Sequence, residues 1–345
     1  MARQKKNKSS IIILSVIAVV LIAGFFGYKS GIFGGKTKGK ITVYSIFQEE
    51  EARKILDRFK EETGIDYDIL RLPSGEAVSR VQNEMAKPQA DFLMGGPADS
   101  HVVLKDAGAL QAYVSPNASD IADNMKDSEG FWTGFYLNPI AIGINEDRWK
   151  EKYGNDPYPE TFKDLLDPKF KGEIGMSDPA TSGTAYTAVA SLAQVWGQDE
   201  MIDFVRQLLP NLKERPKSGI EPIQKAAKGE YTIGVTFLGD QLKIKKQGNP
   251  IVSVVPEGAG YEVGALSIVK NGPNTEAAKK LMDFMLTEEP GTIYTSSAFS
   301  VSVKPSIPVP EGGIDIKTTK YNTSYDLWTA ASQRKDLQNA LKDLK

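Results

Sequence analysis

From Ile41 onward the chain alternates short β-branched or apolar runs with amphipathic segments at helical spacing. That alternation restricts it to an α/β architecture around a mainly parallel sheet. Ile41-Thr42-Val43-Tyr44-Ser45 is the first strand-like run. Glu49, Glu50 and Glu51 then open a helix, where acidic side chains suit the positive end of the dipole, and Ala52, Ile55, Leu56 and Phe59 form its apolar face. Ile65 to Arg71 reads as a second strand, Leu72-Pro73-Ser74-Gly75-Glu76 opens the next helix, and Ala90 to Met94 is a third strand running into Gly95-Gly96-Pro97. In open sheets of this kind ligands bind beyond the carboxyl ends of the strands. Three turns there carry small, polar or Gly-rich residues: Ser45–Gln48, Ser74–Glu76 and Gly95–Asp99.

The run Phe131–Asn145 is aromatic, then strand-like, with Pro139 inside it. Proline removes a ladder donor, so this strand suits a connection between two sheets better than the centre of one. A second α/β half follows, and Gly264 to Lys270 reads as a second crossing strand. Within that half, Gly172-Glu173-Ile174-Gly175-Met176 is a short buried strand, and Tyr186, Val189, Ala190, Ala193 and Trp196 recur at helical spacing. Between them lies Asp178-Pro179-Ala180-Thr181-Ser182-Gly183-Thr184. A helix start offers unpaired backbone N–H groups and the positive dipole end; Thr181, Ser182 and Thr184 add hydroxyls, and Gly183 lets a ligand approach. The turn is suited to a small anion such as phosphate, and equally to an ordinary Ser/Thr cap.

The first forty residues differ from the rest. Arg3, Lys5, Lys6 and Lys8 precede an uncharged apolar run from Ile11 to Tyr28, just long enough to span a bilayer, and a Gly- and Lys-rich tether follows to Lys40. Bulky residues stand where a cleavage site needs small ones, so 1–40 reads as a signal anchor, in preference to a signal peptide, plus tether. The anchor would hold the remainder at the outer face of the cytoplasmic membrane. The chain has no cysteine, which excludes disulfides, thiolate catalysis and Cys-ligated metals, and its single histidine, His101, excludes paired-imidazole metal sites. A net charge of −2 points to no nucleic-acid partner. No nucleophile elbow, phosphate loop or dinucleotide fingerprint is present, so the chain reads as a binder and not an enzyme, with no cofactor and no resident metal.

Over 41–286 the sequence resembles the extracellular solute-binding proteins of ABC importers, in the group related to ferric-iron, sugar-phosphate and aminoethylphosphonate binders. The likeness is carried by Val43-Tyr44-Ser45, Glu84 with Pro88-Gln89-Ala90-Asp91, Gly95-Gly96, Tyr136-Leu137-Asn138-Pro139, Asp178-Pro179 with Ser182 to Tyr186, Gly229-Glu230, Pro256-Glu257-Gly258, and Val269-Lys270 with Ala277 to Lys280. The resemblance implies a two-lobed type II periplasmic-binding-protein fold with two crossing hinge strands, closing over ligand. The lobes would comprise 41–135 with 264–300 and 136–263 with 301–345. It implies importer permease and ATPase subunits as partners of a monomeric protein, and it favours the anion reading of Ser182-Gly183-Thr184.

The iron-binding relatives carry adjacent tyrosines where this chain has Phe237-Leu238-Gly239-Asp240, and that departure disfavours iron; a ferric-iron or other metal-binding importer component is kept as the alternative. Asp240 could accept hydrogen bonds from a ligand's hydroxyl or ammonium groups, or merely cap the following helix. Glu257 could do the same, or serve only its turn. Tyr136 could stack on a sugar face or belong to the core. The expected ligand-binding set is therefore Ser45, Ser74, Gly95, Gly96, Tyr136, Thr181, Ser182, Gly183, Thr184, Asp240 and Glu257. The expected ligand is a small anion, either a sugar phosphate or an organophosphonate.

Overall fold

A computed structural model describes residues 39–342 and 344. The expected signal anchor of 1–40 therefore lies almost wholly outside the described residues. Among the described residues no helix is long and apolar enough to cross a membrane.

The first three strands and helices alternate as the sequence predicts. They are β1 (Lys40–Ser45), α1 (Glu49–Thr63), β2 (Asp66–Arg71), α2 (Ser74–Asn83), β3 (Phe92–Pro97) and α3 (Ala98–Asp106). β1 lies between β2 and β3, parallel to both. Helix α1 buries Ala52, Ile55, Leu56 and Phe59, each large side chain contributing about 1.5–3 kcal/mol. It stops at Gly64, whose φ of 71° is a left-handed cap that a side chain would oppose. Two residues of the family pattern fasten this lobe. Asp91 accepts from the backbone N–H groups of Thr42 and Asn274. Glu84 accepts from the Tyr44 hydroxyl at 2.8 Å.

After the short β4 (Leu110–Gln111), β5 (Thr133–Asn145) is buried along its whole length and serves both sheets. As far as Pro139 it pairs with β10 (described below); from Ile140 to Ile144 it pairs with a different strand, β8. The switch falls at the one residue that has no N–H to give, which is the physical reason Pro139 is tolerated in a long buried strand.

The second half contains α4 (Glu146–Tyr153), β6 (Ile174–Met176), α5 (Gly183–Trp196), α6 (Gln198–Leu208), β7 (Leu212–Glu214), α7 (Glu221–Ala227), β8 (Ile233–Phe237), α8 (Leu238–Lys246) and β9 (Ile251–Val254). β6 lies parallel to both β7 and β8. The return to the first sheet comes earlier than the sequence reading places it. β9 pairs with β5 in the second sheet. The chain then crosses through 255–260, and β10 (Tyr261–Val269) pairs with β5 and β3 in the first sheet. Gly264–Lys270 is thus not itself the crossing; Pro256, lacking an N–H, ends the second-sheet pairing before it.

Helices α9 (Thr275–Met285) and α10 (Glu288–Ala298) precede β11 (Val301–Ser302), which pairs with Leu137 and Tyr136 in the first sheet. The first sheet thus holds two residues beyond the 301 boundary read from sequence. The last helix, α11 (Leu327–Lys342), packs on both halves: Ala331 joins the first core, while Ala330, Leu337 and Leu341 join the second. The two cores are distinct clusters, one around Phe59, Phe92 and Trp132, the other around Trp149, Tyr186 and Ile233.

Candidate functional site

The carboxyl ends of β1, β2 and β3 face the starts of α5, α7 and α8 across a hollow. From the first lobe it is lined by Gln48, Glu51, Arg71, Ser74 and Gly96; from the second by Ser182, Thr184, Gly219, Asp240 and Lys243. Tyr136 and Asn138 of β5, Glu262 of β10 and Tyr294 of α10 complete it.

The lobes are closed on one another. Arg71 Nη2 donates to Ser218 Oγ at 3.0 Å, the Gly75 N–H donates to the Thr181 carbonyl at 2.8 Å, and Lys217 pairs with Glu76 at 3.2 Å. Lys243 pairs across the same gap with Glu51. A Cβ on Gly183 would lie 2.5 Å from Ser74 Oγ and 2.8 Å from Pro97 Cδ, so the start of α5 can meet the first lobe this closely only without a side chain.

Of the expected residues, Ser74, Gly96, Tyr136, Ser182, Thr184 and Asp240 come together on the hollow. Ser182 caps α5, its Oγ accepting from Ala185 N at 3.2 Å. Gly183 touches the opposing lobe, as described. Thr181 sits at the rim, its hydroxyl directed to the Asp178 and Lys217 carbonyls. Ser45 is fully buried behind the hollow and donates to the Phe47 carbonyl at 3.3 Å. Gly95 and Gly96 have φ of 84° and 83°, a left-handed turn that brings β3 against Ser74. Gly95 does not itself line the hollow; its carbonyl lies 3.0 Å from His101 Nε2. Glu257 lies apart from the others, in a separate surface hollow with Tyr158, Val195 and Tyr321.

Sequence reasoning missed Glu51, Lys243, Glu262 and Tyr294. By sequence, Glu51 groups with Glu49 and Glu50 as a complement to the dipole. Successive residues on a helix point about 100° apart, so Glu49 and Glu50 are exposed while Glu51 is 2% exposed. Tyr294 sits on a helix containing Pro290, Gly291 and several Ser and Thr residues, with little apolar periodicity to reveal it. Arg71, the last residue of the second strand, is part of the wall of the hollow, with Nε buried and unpartnered.

The electrostatics are mixed. Burial raises the Asp240 carboxyl to about 7, with Glu51 adding to the rise and Lys243 and Arg71 opposing it. Burial holds Glu262 well above the usual carboxylate range, partly offset by its hydrogen bond to Tyr136. Burial likewise pushes the Tyr136 and Tyr294 phenols up, and their rings pack 4.7 Å apart. Arg71 is lowered by burial against the pull of Asp240, Glu221 and Glu76. The hollow thus carries donors, Arg71, Ser74 and the start of α5, together with the acids Glu51, Asp240 and Glu262. Among the described residues no cluster of three or more His, Asp or Glu side chains could hold a metal ion.

Residues 88–312 match the family model described as bacterial extracellular solute-binding protein. An uncharacterized protein of Haemophilus influenzae is 33% identical over 341 residues, covering 96% of each chain. The periplasmic binding protein AfuA of Actinobacillus pleuropneumoniae, solved with exogenous fructose 6-phosphate bound, is 32% identical. It superposes with a TM-score of 0.85, over 89% of this chain and 99% of its own. A ferric-binding protein of Campylobacter jejuni, 22% identical over 88% of this chain and 99% of its own, shares the fold with a TM-score of 0.76. The chain belongs to the bacterial extracellular solute-binding proteins, periplasmic components that capture substrate for ABC importers.

Proposed function

We propose that the protein captures a small phosphorylated solute, a sugar phosphate in preference to an organophosphonate, by closing its lobes over it and presenting it to an importer. The observation that carries this reading is the buried Arg71 Nε, unpartnered on the wall of the hollow near Ser74 and the capped start of α5. A buried guanidinium donor without an acceptor is costly, and an anionic oxygen is its natural complement. Backbone N–H groups at the first turn of α5, with the Ser74 and Thr184 hydroxyls, supply further donors.

On the same hollow, Asp240 and Glu262 suit the hydroxyls of a sugar. A carboxylate accepts from a hydroxyl, and a carboxyl held protonated by burial donates to one. The fructose 6-phosphate bound to AfuA supports this class of ligand. Ferric iron suits the site less well. The phenols that would bind it, Tyr136 and Tyr294, have their ordinary protonated state reinforced by burial and by the neighbouring acid Glu262.

The hydrophobic segment Ile11–Tyr28 would tether the protein at the outer face of the cytoplasmic membrane. Native mass spectrometry of freshly purified protein, followed by calorimetric titration with fructose 6-phosphate, tests the ligand reading. A co-purified phosphorus-containing ligand and saturable binding are expected. Iron with a phenolate absorption band, and no phosphate ester binding, would overturn it.

A further inference from the structure

We infer that Glu51 is a specificity residue that reads the non-phosphate end of the ligand and couples that reading to lobe closure. The inference rests on the phosphate-ester reading above and deepens it.

Glu51 is 2% exposed, and its two carboxylate oxygens have different fates. One, Oε1, is held by Lys243, which reaches it from α8 on the opposite lobe. The other, Oε2, is buried with no hydrogen-bond partner, although Glu51 lines the hollow. An ionised oxygen in that position is among the costliest groups to leave unpaired. Arg71 Nε is its counterpart of opposite sign on the same hollow. A ligand that satisfies both must carry an anionic group and a hydrogen-bond donor. Inorganic phosphate supplies the first without a sugar's hydroxyls and is therefore the comparison ligand.

The Lys243 contact gives Glu51 its second part. The pair joins α1 of the first lobe to α8 of the second, so it exists only when the lobes meet. Lys243 lies one turn beyond Asp240 on the same helix face, and Glu51, Lys243 and Arg71 all act electrostatically on Asp240. A hydroxyl donated to Glu51 Oε2 therefore stabilises a carboxylate whose other oxygen is already the cross-lobe tie. Glu50 lies 3.8 Å from Lys243, so removal of Glu51 does not strand the lysine without a carboxylate.

The test is the ratio of affinities for fructose 6-phosphate and inorganic phosphate, measured by calorimetry in the wild type, Glu51→Gln and Glu51→Met. Loss of one charge-assisted hydrogen bond made only by the larger ligand lowers that ratio by about 10- to 100-fold in Glu51→Met. The fall is smaller in Glu51→Gln, whose amide can still bond a hydroxyl. If Glu51 served closure alone, both affinities would fall together and an unchanged ratio would overturn the inference. Wild-type protein that binds inorganic phosphate but no more tightly fructose 6-phosphate would overturn it too, leaving the anion reading in place. Binding of neither probe would overturn the phosphate reading and this one with it. Should Glu51→Met fail to fold, the ratio in Glu51→Gln decides alone.

Discussion

Arg71 and Ser218 meet across the cleft: the guanidinium of the first lobe donates through Nη2 to the hydroxyl of the second at 3.0 Å. The same side chain keeps Nε buried and unpartnered. On the proposed function, one residue would therefore both bind the ligand and register that the lobes have closed. Arg71→Met should weaken binding of fructose 6-phosphate and of inorganic phosphate alike, by about 100-fold or more, because a charge-assisted contact and a closure contact vanish together. Arg71→Lys should fall between the two, keeping charge but losing the fork. Calorimetric titration decides, and wild-type affinity in Arg71→Met would remove Arg71 from the site.

The start of α5 separates a ligand contact from a closure contact. Thr184→Ala should lose about one to two decades of affinity, the worth of one hydrogen bond to a charged group, and still close. Gly183→Val should fail to close, since even a Cβ there would lie 2.5 Å from Ser74 Oγ and 2.8 Å from Pro97 Cδ. Small-angle scattering at saturating ligand reads the difference: compaction in Thr184→Ala and little in Gly183→Val. Equal compaction in both would show that the close packing at Gly183 is not needed for closure.

On the proposed function, Asp240 should set a pH dependence for binding. Its carboxyl is pushed up to about 7, because burial, with Glu51 adding to it, outweighs the pull of Lys243 and Arg71. A hydroxyl donated to Asp240 favours the ionised form, so below pH 7 binding must expel a proton. Affinity for fructose 6-phosphate should therefore fall as pH drops from 8 to 6, by up to about tenfold per unit below the pKa. Inorganic phosphate supplies the control for titration of the phosphate itself. A slope in Asp240→Asn equal to the wild-type slope would sink the assignment.

His101 governs stability and not binding. It is fully buried between Ser267 Oγ at 2.6 Å and the Gly95 carbonyl at 3.0 Å, and burial lowers its pKa from 6.5 to about 4. With the folded pKa depressed, the unfolded chain takes up a proton first. The contribution of this group is intact above pH 6.5 and is lost as pH falls toward 4, in total about 3 kcal/mol. Asp240 contributes the opposite slope: its raised pKa favours the fold below about pH 4, and that advantage is lost as pH rises through about 7. Urea unfolding of wild type and His101→Gln between pH 7 and 4.5 isolates the histidine, since Asp240 is common to both. Parallel curves would refute the buried neutral state.

The sequence by itself determined the alternation of strands and helices, the turn-borne cleft and the place where one strand passes between two sheets. These are local properties. Periodicity, caps and a proline's missing N–H act over a few residues, so Pro139 marks its junction without knowledge of any partner. Ser182 and Thr184 were legible for the same reason, because a helix start advertises itself in Ser, Gly and Thr. What tertiary structure decided was which side chains face one another. Glu51 looks like its neighbours Glu49 and Glu50 until the rotation of α1 against the sheet buries it opposite Lys243, 192 positions away. Glu257 carries the same chemistry as Glu262 but leaves the cleft, because the crossing segment carries it into a separate surface hollow before β10 returns Glu262 to the first. Such meetings depend on packing between distant elements, and no local pattern along the chain encodes them.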